Sequence, residues 1–494
     1  MASEKGRPRV MVPKYTEVTV HNIASMQFGI QMAINRAVYI SVDFEFSGLG
    51  DRKQQTRSDD LAVRYKALAN VAQRYALLTM GLTTFELAPS KGNDLEHRYT
   101  VNNFAFLLKC QKDYQVSSAS LSFLADTGLD LSRVMRDGIP YMPGTHKNTM
   151  APADAVTNPE WCLRSILTHT LSRKVPFIIH NGLLDLCFLY EAFYTELPDT
   201  LDSFIVDLYE LFAGGLYDTK YIADYVDREG ASFLSYLYRK YEREQVARKL
   251  KGTEHFLTFE ANPPLHVKIQ PPPLLSGKRG ADRLFCEHYA SFGYCKNGRQ
   301  CFYSHDLDVI LDCEEKGLAR KSKKRKRNNH KTDSNGTVAT TEDTTDIVKT
   351  DAITDANKQT PIHNEPDVLM QPALPVLSSS IPPASTSSPL TAPPIVVNLP
   401  ATTAVFEVYH SAAFDAYMTG CVFAHQQLHH TVIETRPNGI KDFVNKINLM
   451  GKDKPLLIQP SAFAKISDGH RDMKKRLFEE SGGGTGGSSG ESET

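Results

Sequence analysis

Apolar and polar residues alternate from Val38 to Phe46 (VYISVDFEF), the period-2 pattern of a strand with one packed face. Val42, Phe44 and Phe46 point to one side, and Asp43 and Glu45 stand together on the other. Leu77 to Glu86 and Tyr99 to Leu108 carry further strand patterns, and the apolar run Val175 to Ile179 predicts a buried strand. Helical spacing predicts helices near Ile23 to Ala37, over Asn158 to Arg173 and over Leu183 to Tyr194. From Phe233 to Leu250 charges dominate, which predicts a solvated helix. Prolines in PPLHVKIQPPPLLSGKRG then end regular structure, and residues about 328–400 are too rich in Thr, Asp, Ser and Pro to fold alone. Globular sequence resumes at Val405 and runs through Val444 to Lys465, and SGGGTGGSSGESET is a flexible tail.

With 494 residues and 41% hydrophobic content the chain can bury a core, though not everywhere. The 56 Lys and Arg nearly balance the 57 Asp and Glu, so affinity for nucleic acid must come from local charge. No apolar run approaches the roughly 18 residues of a membrane span, and MASEKGRPRVMVPKYTEV lacks the apolar centre of a secretory signal. Eight cysteines, three of them clustered, favour a reducing intracellular compartment.

The candidate chemistry lies in three separated places. Two carboxylates side by side, Asp43 and Glu45, repel each other unless a cation lies between them. Asp185, in HNGLLDLCFLY, opens an apolar helix, where an acid is also favoured by helix electrostatics. His410 and Asp415, in YHSAAFDAYMTG, are five positions apart, about 140° on a helix, and share a face only if the histidine precedes the regular helix. Any one of these has an ordinary structural explanation. All five residues, in order and in fitting contexts, point to a divalent-metal site.

A separate cluster, FCEHYASFGYCKNGRQCFYSHD, spaces Cys286, Cys295, Cys301 and His305 as C-x8-C-x5-C-x3-H, which suits one tetrahedral zinc ion. His288 reads as a surface residue. Tyr289, Phe292, Tyr294, Phe302 and Tyr303, with Arg283, Lys296 and Arg299 nearby, fit base stacking on single-stranded RNA or packing around the metal, and a protein-docking role stays open. The run Arg320, Lys321, Lys323, Lys324, Arg325, Lys326 and Arg327 reads as a nuclear-import signal or a nonspecific RNA contact.

These blocks, with RYKALANVAQRYALLTMGLTTF, VNNFAFLL, SFLADTGLDLSRVMRDGIPY and YDTKYIA between them, resemble the DEDDh deadenylases of the poly(A)-specific ribonuclease branch in collinear order. The resemblance implies a ribonuclease-H-like α/β fold, a mixed central sheet flanked by helices. It implies Asp43, Glu45, Asp185 and Asp415 as ligands of two Mg²⁺ ions and His410 as the group that takes or steers a water proton. The related enzymes carry glycine where this chain has Ala412 and Ala413. The cysteine-rich segment resembles CCCH zinc fingers, which commonly bind single-stranded RNA. The expected organisation is a nuclease domain in two parts, 15–260 and 403–470, interrupted by an excursion. The excursion holds the finger (281–307), the basic segment (320–331) and a disordered linker (332–400), and a flexible tail follows at 481–494. The expected activity is 3′→5′ removal of adenosines from oligo(A) or poly(A) tails in the nucleus, with no membrane partner. Nuclear protein partners and self-association are left open. The rival readings are a non-catalytic RNA-binding adaptor on the same scaffold and an exonuclease without adenine preference.

Overall fold

The computed structural model describes residues 15–51, 55, 58–89, 91–144, 154–261, 285–316 and 411–482. Two compact units divide the chain, residues 1–320 with 400–494 and residues 321–399, and every described residue belongs to the first. The import-type run from Arg320 to Arg327, the linker after it and His410 lie outside the described residues.

One mixed sheet organises the first unit. Its strands are β1 (Thr16–Val18), β2 (Tyr39–Phe46), β3 (Leu77–Ala88), β4 (Glu96–Cys110), β5 (Ile139–Tyr141), β6 (Phe177–Ile179), β7 (Leu216–Asp218), β8 (Phe256–Ala261), β9 (Lys446–Ile447) and β10 (Leu456–Leu457). They run in the order β1-β4-β3-β2-β6-β7-β9-β10, with β5 and β8 also paired to β4. β2, β3 and β4 are antiparallel, whereas β2, β6, β7 and β9 run parallel. β9 comes from the far end of the chain yet pairs with β7, so both parts of the sequence build one sheet. Helices flank it, among them α1 (Ile23–Arg36), α2 (Leu61–Arg74), α3 (Pro159–Ser172), α4 (Leu183–Leu189), α5 (Leu234–Lys251), α6 (Glu287–Phe292), α7 (Leu307–Glu315) and α8 (Ala412–Gln427). This is the ribonuclease-H-like architecture expected from the sequence.

Local chemistry explains the elements. α1 buries Ile23, Met26, Ile30, Ala33 and Ile34 at helical spacing, against the Cys162, Leu163 and Ile166 stripe of α3. α3 starts where Asn158 accepts hydrogen bonds from the Glu160 and Trp161 amides, with Pro159 at the first helical position. α4 ends at Leu189 and continues as a π-helical turn from Tyr190 to Tyr194.

One expectation needs correction. α5 is not a solvated helix: Tyr236, Leu237, Tyr238, Arg239, Tyr241 and Gln245 are buried. Its charges looked solvated because their partners lie far along the chain. Arg239, 1% exposed, donates through Nε and Nη2 to the Asp308 carboxylate at 2.9 Å each and also pairs with Glu242. Arg243 reaches Asp308 and Asp312, and the Tyr236 hydroxyl donates to Glu314 at 2.7 Å. Residues 285–316, within the expected insertion, pack against the body of the first unit. Phe285, Tyr289, Leu307 and Ile310 share one apolar cluster with Tyr236 and Leu237 of α5 and Phe414 and Tyr417 of α8. Asp308→Ala should therefore destabilise the protein by about 3 kcal/mol, the low end for a broken buried ion pair because Glu242 remains. Adding Arg239→Met should recover most of that in urea melts; no recovery would mean that the pair is not a buried-charge clamp.

Candidate metal centre and cleft

The alternation of β2 carries the site. Tyr39, Ser41, Asp43 and Glu45 share one face, and α8 lies across it. The Tyr39 hydroxyl donates to the Gly420 carbonyl at 3.2 Å and Ser41 Oγ to the Ala416 carbonyl at 2.7 Å. Two residues of the strand thus tie down successive turns of the helix, and the next two meet its first turn, where Asp415 stands. Ser411 caps that turn through its hydroxyl, which accepts from the Phe414 amide. α8 begins at Ala412, and the placement of His410 lies outside the described residues.

Close approach depends on absent side chains. Gly81 of β3 lies opposite Asp43, and a Cβ there would sit 1.9 Å from the Ala412 carbonyl oxygen. A Cβ on Gly420 would sit 2.1 Å from the Phe85 ring. Ala412 and Ala413 are buried, and Gly81 supplies the clearance from the sheet side.

Carboxylate oxygens of Asp43, Glu45 and Asp415 consequently lie within 4.8 Å of one another. Asp415 Oδ1 is buried and has no hydrogen-bond partner. Burial first, then Asp415, Asp185 and Glu45, holds Asp43 well above the usual carboxylate range. Burial and then Asp185 push Glu45 up to about 8, and burial and then Glu45 raise Asp415 far above its ordinary value. Asp185, in the first turn of α4, is not in the tight trio but lines the same cleft as Asp43 and is itself pushed up to about 7, chiefly by burial. Clustered acids with an orphaned oxygen are an environment that a hard divalent cation with oxygen ligands relieves. The donor set fits such an ion.

The cleft has a volume of about 320 Å³, the size of small-molecule sites. Asp43, Asp185, Arg64, His180, Asn181 and Asn448 line it. Asp218, fully buried, organises one wall by accepting from the Asn181, Lys220 and Asn448 amides at 2.8, 3.0 and 2.9 Å. Asn181 has a left-handed φ of 58°, and its side-chain oxygen accepts from Asn448 at 2.9 Å. His180 is held neutral by burial, its Nδ1 bonded to the Thr219 hydroxyl at 2.8 Å and its ring to the Ser232 backbone. Arg64 holds the Gln55 and Met450 carbonyls, and its Nη1 is buried with no partner. The sequence reading passed over Gly81, Asp218, Asn448 and Arg64. A glycine inside the apolar strand LLTMGLTTFE was the available signal for the first. The D-T-K helix start was the signal for Asp218.

In the finger, ligand atoms of Cys286, Cys295, Cys301 and His305 also gather within 4.8 Å of one another. Cys286 Sγ and Cys295 Sγ are 3.8 Å apart, far from disulfide length and close to the edge of a tetrahedron with Zn–S bonds of about 2.3 Å. His288 is outside this set, its Nδ1 donating to the Tyr294 carbonyl at 2.7 Å. Tyr289 is buried and stacks on His305, whereas Phe292, Tyr294, Phe302 and Tyr303 are exposed. His429, His430 and Glu434 converge elsewhere, but ion pairs account for them: His430 lies between Asp227 and Glu434, and Arg436 takes the Glu434 carboxylate as well.

An acidic pair on the central strand of a ribonuclease-H-like sheet, completed by an acid from the helix across it, defines a class of nucleases. The family model described as CAF1 family ribonuclease matches residues 18–161 and 146–423, and this chain belongs to that family. Poly(A)-specific ribonuclease PARN of Xenopus laevis is 28% identical over 138 residues, 26% of this chain and 21% of that protein. The Bos taurus PARN is 29% identical over the same length. The chain thus matches about a fifth of the length of these relatives. Among solved structures, Schizosaccharomyces pombe Pop2p in its Mg²⁺- and Mn²⁺-bound form aligns over 46% of this chain and 82% of that one. Its identity is 20% and its TM-score 0.34.

Proposed function

We propose that this protein is a divalent-metal-dependent 3′→5′ exoribonuclease that trims adenosines from RNA 3′ tails and releases 5′-AMP. It belongs by this reading to the nuclear deadenylases that carry a CCCH finger, with noncoding RNAs such as small nuclear RNAs as substrates. The observation that carries the proposal is the acidic trio of Asp43, Glu45 and Asp415 with its orphaned oxygen beside a nucleotide-sized cleft. Family membership and the poly(A)-specific relatives support the substrate class. The run from Arg320 to Arg327 supports nuclear import.

Asp43, Glu45, Asp185 and Asp415 would hold two Mg²⁺ ions. When bound, these supply a water of lowered pKa and neutralise charge on the phosphate and the leaving oxygen. The chain's own work is to keep four acids in place with strand, helix turn and backbone clamps, and to take or steer the water proton at His410. Cys286, Cys295, Cys301 and His305 would hold one structural Zn²⁺.

The purified chain with Mg²⁺ and labelled RNA tails of A, U, C or G, plus a DNA control, tests this. AMP release fastest from A tails is expected. Equal rates on all tails would remove the adenine preference, and no hydrolysis of any tail would leave only a binding scaffold. In cells, neutralising Lys323 to Arg327 should shift the protein toward the cytoplasm; unchanged nuclear accumulation would remove the import role.

A further inference from the structure

The finger is seated against the rim of the cleft. His180, in the cleft wall, bonds the backbone of Ser232, and Lys220 Nζ donates to the Ser232 hydroxyl at 2.6 Å and its carbonyl at 3.2 Å. The next residue, Phe233, packs its ring 5.9 Å from that of Tyr289 in the finger. Gly293, at a left-handed φ of 73°, approaches so closely that a Cβ would sit 2.7 Å from the Phe233 ring. Only Ser232 and Phe233 therefore separate a cleft-lining residue from the finger, one peptide step of about 3.8 Å plus two side-chain contacts.

The two residues that flank this contact point are aromatic and open. Phe292 is 62% exposed and Tyr294 58% exposed, with ring centroids 6.2 Å apart. His288 lies between them, 5.0 Å from one and 4.7 Å from the other, and its bond to the Tyr294 carbonyl fixes the arrangement. Lys296 is exposed beside them. Of the finger's aromatics, Tyr289 serves the interior, so Phe292 and Tyr294 are not consumed by packing around the metal. Fixed rings with open faces and a neighbouring cation suit successive bases of a single strand, which stack without regard to groove or pairing.

We propose that the Phe292–His288–Tyr294 face is the upstream subsite of the cleft. It stacks bases of the same single-stranded tail whose 3′-terminal nucleotide lies against Asp43 and Asp415. The proposal rests on the function proposed above and adds the direction in which the substrate leaves the site: past Ser232 and Phe233, onto the finger. The nuclease then grips a short oligonucleotide by the cleft alone and a longer one by cleft and finger together.

Kinetics on the full, zinc-loaded chain test it with two single-stranded oligoadenylates, one only long enough to fill the cleft and one several nucleotides longer. The advantage in kcat/KM of the long over the short substrate should fall about 10- to 100-fold in the Phe292→Ala/Tyr294→Ala double variant, the range of one to two lost base–aromatic stacks. Phe292→Trp should keep that advantage, which separates stacking from a general effect on the finger's fold. A series of long substrates, each with one abasic nucleotide, should show one sensitive position in the wild type and none in the double variant. An unchanged long-to-short ratio overturns the proposal and is the result expected if this face docks a protein instead. If the wild type cleaves neither substrate, the nuclease reading itself has failed. Fluorescence anisotropy with the long oligoadenylate then decides the subsite: equal affinity in the wild type and double variant overturns it.

Discussion

Asp415→Asn should melt at a higher temperature than the wild type in EDTA while losing at least about 10³-fold in the rate of AMP release. The two effects have one origin. Asp415 Oδ1 is buried without a partner, and its carboxylate lies within 4.8 Å of those of Asp43 and Glu45. An amide at the same place removes one of three acids whose ionisation burial and mutual repulsion disfavour, and offers an N–H to a neighbouring carboxyl oxygen. Relief of an unsatisfied buried group is worth about 1–3 kcal/mol, or several degrees in a domain of this size. The same change weakens cation binding, and the several kcal/mol of transition-state stabilisation that a metal supplies converts to three or more decades in rate. Scanning fluorimetry in EDTA and in Mg²⁺ checks the stability side. The wild type should gain from Mg²⁺ by mass action, and the variant should gain less. A variant that melts below the wild type in EDTA would mean that Asp415 anchors α8 rather than awaiting a cation.

Gly81→Ala should cut kcat by about 10²-fold or more although it removes no acid, no base and no hydrogen bond. The new Cβ would lie 1.9 Å from the Ala412 carbonyl oxygen, so the first turn of α8 must retreat by more than an ångström to reach ordinary contact. That turn carries Asp415, and a misplacement of about 1 Å at a reacting centre costs on the order of 10²-fold. Overpacking should also lower stability by about 1–3 kcal/mol. Gly29→Ala is the control. Gly29 is exposed in α1 with nothing within 4 Å of its Cβ position, so alanine should add about 0.5–1 kcal/mol and leave the rate alone. Wild-type kcat in Gly81→Ala would show that the helix finds its place by other contacts.

Strands and the helices on their flanks were legible because a packed face imposes a period of two or 3.6 along a continuous stretch. β2, β3, β4, α1 and α3 were found within a few residues of their bounds for that reason. Asp43 and Glu45 could be placed on one face by spacing alone. What spacing could not reach is any pairing across a long separation. Arg239 and Asp308 lie 69 residues apart, so α5 read as a charged, wet helix until its partner was in place. The finger's seat on Phe233 was invisible for the same reason, since the residue that makes it possible, Gly293, resembles any turn glycine. Gly81 was passed over because its importance lies in the missing side chain, which a search for chemistry does not look for. Asn448 and Asp218 bond across 230 residues; the D-T-K helix start marks Asp218 as a cap, but nothing local pairs it with Asn448 or places either in the wall of the cleft.

The ladder from β2 to α8 also governs how the molecule comes off the ribosome. Ser41 and Ala416, joined by one hydrogen bond, are 375 residues apart, so at about 5–20 residues per second roughly 20–75 s pass between their synthesis. Throughout that interval Tyr39, Phe85 and the neighbouring rings of the sheet have no helix to cover them, and β7 has no β9 at its edge. Long-range closure of this kind is intrinsically slow and leaves apolar surface exposed while the chain is being made. Until Asp415 emerges, Asp43 and Glu45 have no third acid beside them, so the acidic trio is one of the last features of the molecule to be assembled.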